Sequence, residues 1–434
     1  MTARLKNIYQ KLKSAYHYCL AWLGNVIYGS PSKDIFVIGV TGTKGKSTTL
    51  ELINAILEMA DKKTALVSSL RFKIANKTIK NTTGMTMPGR FFIQKKLRKA
   101  VKAGCQYFLI EVTSQGILQH RHEFIDFDAA IYTNVRPEHV EAHGSFDNYR
   151  GAKVSFFKYA ADKSRKRDKS FFINDEDDSK GHFVNAVGDN KVIYFSRDNF
   201  IDKNLNKGKI SIGDWLSNNF NLENAAAATA LAESQGIDWD TIHRALQAFS
   251  GIPGRLEYAQ RKPFAVVIDY AHTPDSLTKV YQALIRGGAK VSARNSRGSS
   301  RTKTKTKTSV STSKLICVLG AAGGGRDKWK RPVMGQIAAQ YCRNIILTNE
   351  DPYDEKPEKI LEDIKNGILQ TKFPVSNIAE ILDRRAAIAK AISLAKRGDT
   401  VIITGKGSED WLRVAQGNKI PWSERKAVEK VLKE

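Results

Sequence analysis

Ile35-Phe36-Val37-Ile38-Gly39-Val40-Thr41-Gly42-Thr43-Lys44-Gly45-Lys46-Ser47-Thr48-Thr49 is the segment from which the fold of this chain is most clearly predicted. Its β-branched and aromatic residues predict a buried strand, and the apolar residues from Leu50 to Met59 recur at helical spacing. A glycine-rich turn between a strand and a helix N-terminus is typical of phosphate binding, because backbone N–H groups and the helix dipole attract anions. Lys46 can reach the outer phosphates and Ser47 offers a hydroxyl to Mg²⁺. Val40 stands where strict Walker A spacing requires glycine, so we interpret the loop as a variant.

The size and composition are those of a soluble globular protein with more than one core. The chain has 434 residues, of which 41% are apolar and 9% aromatic. Its four cysteines (Cys19, Cys105, Cys317 and Cys342) are widely separated and show neither metal nor disulfide spacing. We therefore expect a reducing, cytoplasmic environment and a core role for most of the cysteines.

The net charge of +26 suggests nucleic acid, a membrane surface or an anionic substrate as a partner. Part of that charge lies between Gly287 and Lys314, a stretch of Ser, Thr, Lys and Arg without apolar periodicity. This composition predicts a disordered basic loop insert at about 287–314. A solvated loop explains the insert better than contact with RNA or membrane, so no specific nucleic-acid partner is expected.

Residues 1–34 are amphipathic and basic. Their apolar part is interrupted by Gly24 and Asn25 and is too short for a membrane span. The segment contains no evident small-residue cleavage site, so a signal peptide is not expected. Two interpretations stay open: an interfacial helix on an anionic membrane, or a helix that packs on the body of the protein.

From Ile35 onward, short apolar strands alternate with helices, which predicts parallel doubly wound sheets and an α/β fold. The turn-rich Gly251-Ile252-Pro253-Gly254 separates two such series, so the predicted domains are 35–250 and 251–434. The predicted strands are 35–40, 64–68, 107–112, 129–133, 171–173 and 192–195, then 264–269, 315–319, 344–347 and 400–404. The predicted helices are 48–59, 91–103, 146–161, 224–233 and 239–249, then 276–285, 333–341, 358–368, 384–395 and 424–432.

Three further features could carry chemistry beside the loop. The hydrophobic strand 107–111 ends in Glu111, at a position where an acid beside a phosphate-binding strand can meet Mg²⁺. Residues 134–144 hold two histidines and two acids, which suits metal or phosphate contact, with a solvated polar loop as the alternative. Lys153 lies on a predicted helix, where a lone lysine is normally solvated.

The loop 41–49 resembles the Thr-Gly-Thr-x-Gly-Lys-Thr/Ser-Thr loop of the Mur ligases, the ATP-dependent amide-bond-forming enzymes of peptidoglycan synthesis. Further motifs follow in family order and cover nearly everything from Ile35 to the C-terminus: 134–144, 152–153, 220–224, 251–257, 269–275, 324–332 and 405–409. The resemblance is greatest to the branch that adds the third residue of the stem peptide. It implies a P-loop-type doubly wound central ATPase domain followed by a Rossmann-like C-terminal domain.

The resemblance also implies a mechanism, in which ATP phosphorylates the acceptor carboxylate and an amino group attacks the acyl phosphate. It implies that one Mg²⁺ is held by Ser47 and Glu111, and a second lies near His139 and a carbamylated Lys153. With Lys46, the residues Glu111, His139 and Lys153 would form the catalytic set. The implied ATP-binding residues are Thr41, Gly42, Thr43, Gly45, Lys46, Ser47, Thr48, Asn224, Arg255 and Asp269.

The substrate positions are assigned by the same resemblance. The positions that match contacts to the UDP-sugar peptide are Thr86, Thr113, Gln119 and Arg121. The positions near the amino acid are Arg326, Glu350, Asp351, Gly405 and Glu409. An arginine such as Arg121 is a natural partner for a carboxylate or phosphate.

Three departures from the family pattern bear on the substrates. Only about 34 residues precede the first strand, where this branch has a full N-terminal domain that grips UDP. Tyr353 replaces an arginine that binds the distal carboxylate of diaminopimelate, and the acids around it favour a cationic amino acid such as lysine. Ser408 and Gly325 replace a usual histidine and aspartate, whereas Arg326 and Glu409 are retained.

We therefore expect a monomeric, cytoplasmic ligase that joins a free amino acid to a UDP-N-acetylmuramoyl-peptide. Two alternatives stay open. One is a Mur-like ligase on another carboxylate acceptor, of the poly-γ-glutamate or folylpolyglutamate type. The other is a non-catalytic, ATP-binding protein that contacts the membrane through residues 1–34. The presence of Glu111, His139, Lys153 and Asp269 argues against the second alternative, because binding without chemistry would not need them.

Overall fold

The computed structural model describes residues 3–138, 143–202, 215–216, 219–295, 315–325 and 327–434. The chain divides into two compact units, Met1–Ser250 and Gly251–Glu434. The predicted α/β fold is confirmed, since the first unit contains an eight-stranded sheet and the second a six-stranded sheet.

Eight strands form the sheet of the first unit: β1 (Phe36–Thr41), β2 (Thr64–Val67), β3 (Arg71–Ile74), β4 (Lys77–Lys80), β5 (Tyr107–Glu111), β6 (Ala129–Tyr132), β7 (Ser170–Asn174) and β8 (Lys191–Phe195). Their spatial order is β4-β3-β2-β5-β1-β6-β7-β8. The strands are parallel except for β3, which runs antiparallel to both β2 and β4. In the register of β1 and β5, Val40 lies opposite Glu111, so the carboxylate ends its strand beside the loop that follows β1.

Among the described residues of the first unit, the α-helices are α1 (Ala3–Ile27), α2 (Lys46–Met59), α3 (Arg90–Lys102), α4 (Ser114–Leu118), α5 (Phe146–Asp162), α6 (Lys180–Val187), α7 (Arg197–Phe200), α8 (Asn219–Ser234) and α9 (Trp239–Ala248). Helix α5 buries Phe156 and Phe157 against core residues of the central strands, including Phe108 and Tyr132. The apolar face of α5 therefore fixes the turn that carries Lys153 against the sheet.

Helix α1 packs on α3, which favours the second of the two interpretations of the N-terminus. A Cβ on Gly24 would lie 3.7 Å from Phe91 and Gln94 of α3. Arg98 of α3 donates to the carbonyl oxygens of Tyr28 and Gly29, at 2.7 Å in each case. Among the described helices, none is both long and apolar enough to cross a bilayer.

The sheet of the second unit contains β9 (Glu257–Gln260), β10 (Ala265–Ile268), β11 (Leu315–Leu319), β12 (Cys342–Leu347), β13 (Ile378–Glu380) and β14 (Thr400–Ile403). The order is β13-β12-β11-β14-β10-β9, with β9 antiparallel and the rest parallel. A separate hairpin joins β15 (Trp411–Arg413) to β16 (Lys419–Pro421). The helices are α10 (Pro274–Asn295), α11 (Lys330–Tyr341), α12 (Pro357–Leu369), α13 (Arg384–Ser393) and α14 (Glu424–Val431).

The expectation that the cysteines form no disulfide is wrong. Cys317 and Cys342 are bonded, with their Cα atoms 6.0 Å apart. They lie on the neighbouring parallel strands β11 and β12, and only the pairing of those strands brings them together. The predicted core role holds for both of them and for Cys105, which is buried, whereas Cys19 is exposed.

Each predicted strand and helix has a counterpart in the structure, but two helices are much longer than predicted. Helix α8 begins at Asn219 rather than at position 224. Helix α10 continues to Asn295, so the prediction of a loop over 287–295 is wrong; the remainder of the predicted insert, 296–314, lies outside the described residues. The elements absent from the sequence prediction are short: β3, β4, β9, β13, β15, β16, α4, α6 and α7.

Candidate active site

The loop between β1 and α2 depends on two glycines with positive φ. Gly42 has φ 149° and Gly45 has φ 87°, a region of backbone conformation that favours glycine. A Cβ on Gly45 would lie 2.2 Å from Oδ1 of Asn224, and one on Gly42 would lie 1.9 Å from Oγ1 of Thr133. The glycines therefore allow the loop to lie directly against α8 and the end of β6.

Two lysines converge on the carbonyl oxygen of Gly42. Lys46 Nζ donates to it at 2.9 Å and to the carbonyl oxygen of Thr43 at 3.0 Å. Lys153 Nζ, from α5, donates to the same Gly42 oxygen at 2.8 Å. A third lysine, Lys44, pairs with the carboxylate of Glu138 at 2.9 Å. The loop thus carries a concentration of positive charge suited to a polyphosphate.

Lys153 is fully buried, which contradicts the ordinary expectation of a solvated helical lysine. Burial and the neighbouring charge of Lys46 hold its pKa well below the usual range. The ammonium group lies 4.6 Å from the ring centre of Tyr149. Because Tyr149 also contacts the Thr43 hydroxyl at 3.2 Å, the ring connects α5 to the loop.

Ser47 and Glu111 place a hydroxyl and a carboxylate side by side at the carboxyl end of the sheet. Ser47 Oγ donates to Glu111 Oε1 at 2.8 Å, and the backbone N–H of Ser69 donates to the same oxygen at 2.7 Å. Glu111 is 1% exposed. A hydroxyl and a buried carboxylate are the hard oxygen donors that Mg²⁺ prefers, so this pair fits such an ion. No group of three or more His, Cys, Asp or Glu side chains within the described parts of the chain converges as a metal site.

The other predicted ATP-binding residues of the first unit stabilise the loop. Thr41 donates to the carbonyl oxygen of Val112 at 2.9 Å. Asn224 Oδ1 accepts from Thr49 at 3.2 Å, which connects α8 to the first turn of α2. Thr48 lies buried in that same turn. His139, the fourth member of the predicted catalytic set, is outside the described residues.

The predicted acceptor residues come together around Met87. Arg121 donates to the carbonyl oxygen of Met87 and, at 2.7 Å, to Oε1 of Gln119. Thr113 caps α4 by accepting from Gly116 at 3.1 Å. A Cβ on Gly116 would meet Met87 Sδ at 2.4 Å, so α4 packs closely against this segment. Thr86 is the half-buried residue that precedes Met87.

In the second unit, three predicted acidic residues lie around a lysine absent from the predicted set. Lys406 Nζ is buried and pairs with Asp351 Oδ1 at 2.8 Å and with Glu409 Oε2 at 2.5 Å. Glu409 Oε1 also accepts from the Tyr270 hydroxyl at 3.1 Å. A Cβ on Gly405 would lie 2.3 Å from Glu350 Oε2, which places Glu350 against this glycine.

Glu350 is buried, and its Oε2 atom has no hydrogen-bond partner in the described part of the chain. Burial raises the pKa of its carboxyl group to about 7, although Arg384 and Lys406 act in the opposite direction. Glu350 is therefore partly protonated near neutral pH. Arg326, predicted beside it, lies outside the described residues.

The two remaining ATP-binding predictions also fall in the second unit. Asp269 accepts from the backbone N–H groups of Leu256 and Ala271, each at 2.7 Å, one on each carboxylate oxygen. The guanidinium of Arg255 stacks 4.2 Å from the ring centre of Tyr270. Both side chains therefore have an evident structural role.

Three residues that contact the candidate site residues are absent from the set predicted from the sequence. Ser69 supports Glu111 through its backbone, and such a contact leaves no signal in the sequence. Lys406 lies within a motif that was identified, Gly405-Lys406-Gly407, yet its role depends on the distant Asp351. Glu138 belongs to the acidic and histidine-rich stretch 134–144, which did indicate this region.

A glycine-rich phosphate loop, a Ser–Glu oxygen pair and a parallel sheet define a nucleotide-binding α/β protein. Residues 40–232 match the Mur ligase middle domain, and residues 254–407 match the Mur ligase, glutamate ligase domain. The chain belongs to the Mur ligase family. It is thus an ATP-dependent ligase, and both the predicted family and the predicted enzyme class are confirmed.

Two similar relatives support this assignment. UDP-N-acetylmuramoyl-L-alanyl-D-glutamate–2,6-diaminopimelate ligase of Aquifex aeolicus (strain VF5) is 34% identical over 420 residues, covering 93% of this chain and 79% of the relative. The Syntrophomonas wolfei ligase of the same name is 34% identical over 429 residues, covering 95% and 81%.

Solved structures show the same fold. A structure of a ligase with that name has a TM-score of 0.56 and 26% identity, covering 92% of this chain and 78% of its own. Mycobacterium tuberculosis folylpolyglutamate synthase, in complex with ADP and AMPPCP, has a TM-score of 0.64 at 16% identity, covering 89% and 92%. At that identity the second likeness concerns the fold alone.

Proposed function

We propose that this chain uses ATP to join a free amino acid to the terminal carboxylate of UDP-N-acetylmuramoyl-L-alanyl-D-glutamate, in peptidoglycan precursor synthesis. The observation that carries the proposal is the convergence of Lys46, Lys153 and the Ser47–Glu111 pair on one phosphate-binding loop. Such a site suits phosphoryl transfer to a carboxylate. The names of the similar ligases favour this acceptor over a folate or poly-γ-glutamate acceptor.

The first unit supplies the central ATP-binding domain, residues 35–250. The amides and cations of the loop would neutralise charge on the phosphoryl group during its transfer. Ser47 and Glu111 would hold Mg²⁺, which supplies further charge neutralisation. The proposed loop and helix contacts to ATP are Thr41, Gly42, Thr43, Gly45, Lys46, Ser47, Thr48 and Asn224.

Lys153 is proposed to carry a carbamate. Its burial favours the neutral amine, which can add to CO₂ with formation of an N–C bond and loss of one proton. The product is an anionic, carboxylate-like group, which would balance the positive charge of Lys44 and Lys46. It would also provide oxygen ligands for a second Mg²⁺, together with His139.

The second unit, residues 251–434, is proposed as the C-terminal ligase domain. Asp269 would accept from the ribose, and Arg255 would contact phosphate. The proposed contacts to the amino acid are Arg326, Glu350, Asp351, Gly405 and Glu409. The carboxylates of Asp351 and Glu409, already paired with Lys406, would orient the α-ammonium group.

A cationic amino acid such as lysine is the proposed second substrate. Tyr353 is uncharged and lies against Gly324, where a Cβ would be 3.0 Å from its ring. Because tyrosine carries no charge, this residue cannot form the ion pair with the distal carboxylate of diaminopimelate that an arginine in its place would form. The similar ligases named above are diaminopimelate ligases, so the two amino acids must be compared directly.

The test is phosphate release from ATP with UDP-N-acetylmuramoyl-L-alanyl-D-glutamate across a panel that includes lysine, diaminopimelate and glutamate. We expect turnover that depends on both acceptor and amino acid, highest with lysine. No amino-acid-dependent turnover would contradict the proposed ligase. Turnover with glutamate and a folate acceptor instead would favour the folylpolyglutamate alternative.

We also propose that the enzyme is a cytoplasmic monomer that contacts membranes peripherally through α1. One side of this helix exposes a stripe of apolar residues at helical spacing, beside exposed lysines: Leu12, Tyr16, Cys19, Leu23 and Ile27, with Lys11 and Lys13. This pattern suits an anionic lipid surface. Cosedimentation with vesicles that contain phosphatidylglycerol, but not with pure phosphatidylcholine vesicles, is the expected result. Sedimentation velocity measures whether the protein is a monomer in solution.

A further inference from the structure

The inner side of α1 covers the region that holds the predicted acceptor residues. Ser14 Oγ and His120 Nε2 are 2.8 Å apart. Tyr18 packs edge-on against His120 and Phe124, with ring centres 5.7 and 5.1 Å away. Helix α1 therefore lies on the segment 119–124, which also contains Arg121.

Two arginines in this region share one anchoring residue. The carbonyl oxygen of Gln119 accepts from Arg90 Nε at 3.2 Å, and the side-chain oxygen of Gln119 accepts from Arg121 Nη2 at 2.7 Å. The Met87 carbonyl oxygen is a further acceptor for Arg121. Backbone and amide oxygens thus hold both guanidinium groups at fixed positions.

Neither arginine forms a salt bridge with a carboxylate among the residues that the structure describes. Burial lowers the pKa of both groups, and the charge of Arg121 lowers the pKa of Arg90 further. Two partly desolvated cations next to each other are unfavourable unless an anion joins them.

Helix α1 adds an unsatisfied polar group to the same place. Both ring nitrogens of His17 are buried and have no hydrogen-bond partner within the described residues. Burial lowers the pKa of this ring, and the charges of Arg90, Lys13, His120 and Arg121 lower it further. One acid of this region, Glu123, lies 3.5 Å from His120 Nδ1. Buried polar atoms without partners need an explanation, and a ligand supplies one.

We propose that Arg90, Arg121 and His17 form a subsite for an oxyanion of the acceptor, so that α1 contributes directly to acceptor binding. This inference rests on the proposed function. Of these three residues, the resemblance to Mur ligases implies Arg121 alone. The geometry adds Arg90 and His17, and with His17 the helix α1. The oxyanion is either the diphosphate or a carboxylate of the UDP-N-acetylmuramoyl-dipeptide, since arginines bind both in a bidentate manner.

The experiment measures dissociation constants by titration calorimetry with the full chain and three probes: UDP-N-acetylmuramoyl-L-alanyl-D-glutamate, UDP, and N-acetylmuramoyl-L-alanyl-D-glutamate. The variants are Arg90→Gln and His17→Gln, with Arg90→Lys as a variant that keeps the charge. Lys95→Gln is the matched control, because Lys95 is an exposed cation on the same helix α3. Circular dichroism confirms that each variant is folded.

Arg90→Gln removes a charge-assisted hydrogen bond, so we expect the dissociation constant of the complete acceptor to rise roughly tenfold or more. His17→Gln should weaken it about threefold, with a smaller effect for Arg90→Lys and none for Lys95→Gln. Weaker binding of UDP assigns the diphosphate to the subsite, and weaker binding of the muramoyl dipeptide assigns the carboxylate.

A failure of the subsite proposal and a failure of the proposed function give different results. If the wild-type chain binds the complete acceptor and Arg90→Gln and His17→Gln bind it equally well, the subsite is overturned and the proposed function stands. If the wild-type chain binds none of the three probes, the proposed function is contradicted and the subsite with it. Should Arg90→Gln not fold, equal binding by Arg90→Lys and His17→Gln overturns the subsite by itself.

Discussion

The candidate sites of the two units are built with opposite charges. In the first unit, Lys46 and Lys153 meet at one backbone carbonyl, that of Gly42. In the second, Asp351 and Glu409 meet at one side chain, that of Lys406. A concentration of cations suits polyphosphate, whereas a concentration of carboxylates suits an ammonium group. The difference follows the proposed division of labour between ATP and the amino acid.

Each site also contains one buried group whose charge is suppressed. Burial and a like charge lower the pKa of Lys153, and burial raises the pKa of Glu350 to about 7. In both units the neutral form of one member relieves the repulsion within the cluster. We therefore expect Lys153 and Glu350 to respond to substitution differently from their fully charged neighbours.

Replacing the central cation of the first site should have the largest effect. For Lys46→Met we expect turnover to fall by about a thousandfold or more, because Lys46 would neutralise the transferred phosphoryl group. Phosphate release at saturating ATP measures the loss. Lys63→Met, at an exposed position, is the control and should retain wild-type turnover. Full activity of Lys46→Met would remove the loop from the mechanism.

Lys153→Ala should lower turnover by about a hundredfold, since it removes the proposed carbamate and its charge balance. Unlike Lys46→Met, this variant should regain activity when a short carboxylate such as acetate or formate is added, because the acid can occupy the vacated space. Rescue is followed by phosphate release against carboxylate concentration. A Lys153→Ala enzyme that is fully active without any added acid would contradict the carbamate.

Glu350 is the acidic counterpart of Lys153, and the effect of replacing it is measured through the pH dependence of stability. Its carboxyl has a reference pKa of 4.5 and a folded-state pKa of about 7. Its contribution to stability is fully present below pH 4.5 and is lost as pH rises through about 7. Between these two pH values the carboxyl group ionises in the unfolded chain but stays largely protonated in the folded protein. Glu350→Gln should therefore raise the urea midpoint of the second unit more at pH 8 than at pH 5.

The expected size is up to roughly 1.4 kcal/mol in unfolding free energy for each unit by which the pKa is raised. Glu362→Gln, at an exposed position of α12, is the matched control and should show no such pH difference. An equal shift at pH 5 and pH 8 for Glu350→Gln would show that Glu350 is ionised in the folded protein throughout.

The two sites also differ in how far the sequence predicts them. The first is assembled largely from a contiguous stretch, 41–49, and from the ends of strands whose apolar pattern is strong, so its location follows from local signals. The burial of Lys153 depends on the packing of α5, and no local pattern indicates it. In the second unit, residues near 351, 384 and 406 meet only through the sheet order, as do Cys317 and Cys342. Such non-local pairings are specified by tertiary structure alone.

Ser69 gives the smallest predicted effect and tests whether support from a third segment matters. Its hydroxyl lies 2.9 Å from Ser47 Oγ, while its backbone N–H donates to Glu111 at 2.7 Å. Ser69→Ala removes only the hydroxyl, so we expect turnover at saturating Mg²⁺ to stay near wild type. The Mg²⁺ concentration for half-maximal activity should rise about threefold, because Ser47 loses one orienting contact. If Ser69→Ala instead lowered maximal turnover with unchanged Mg²⁺ dependence, the Ser47–Glu111 pair would act on the phosphoryl group by a route other than the metal.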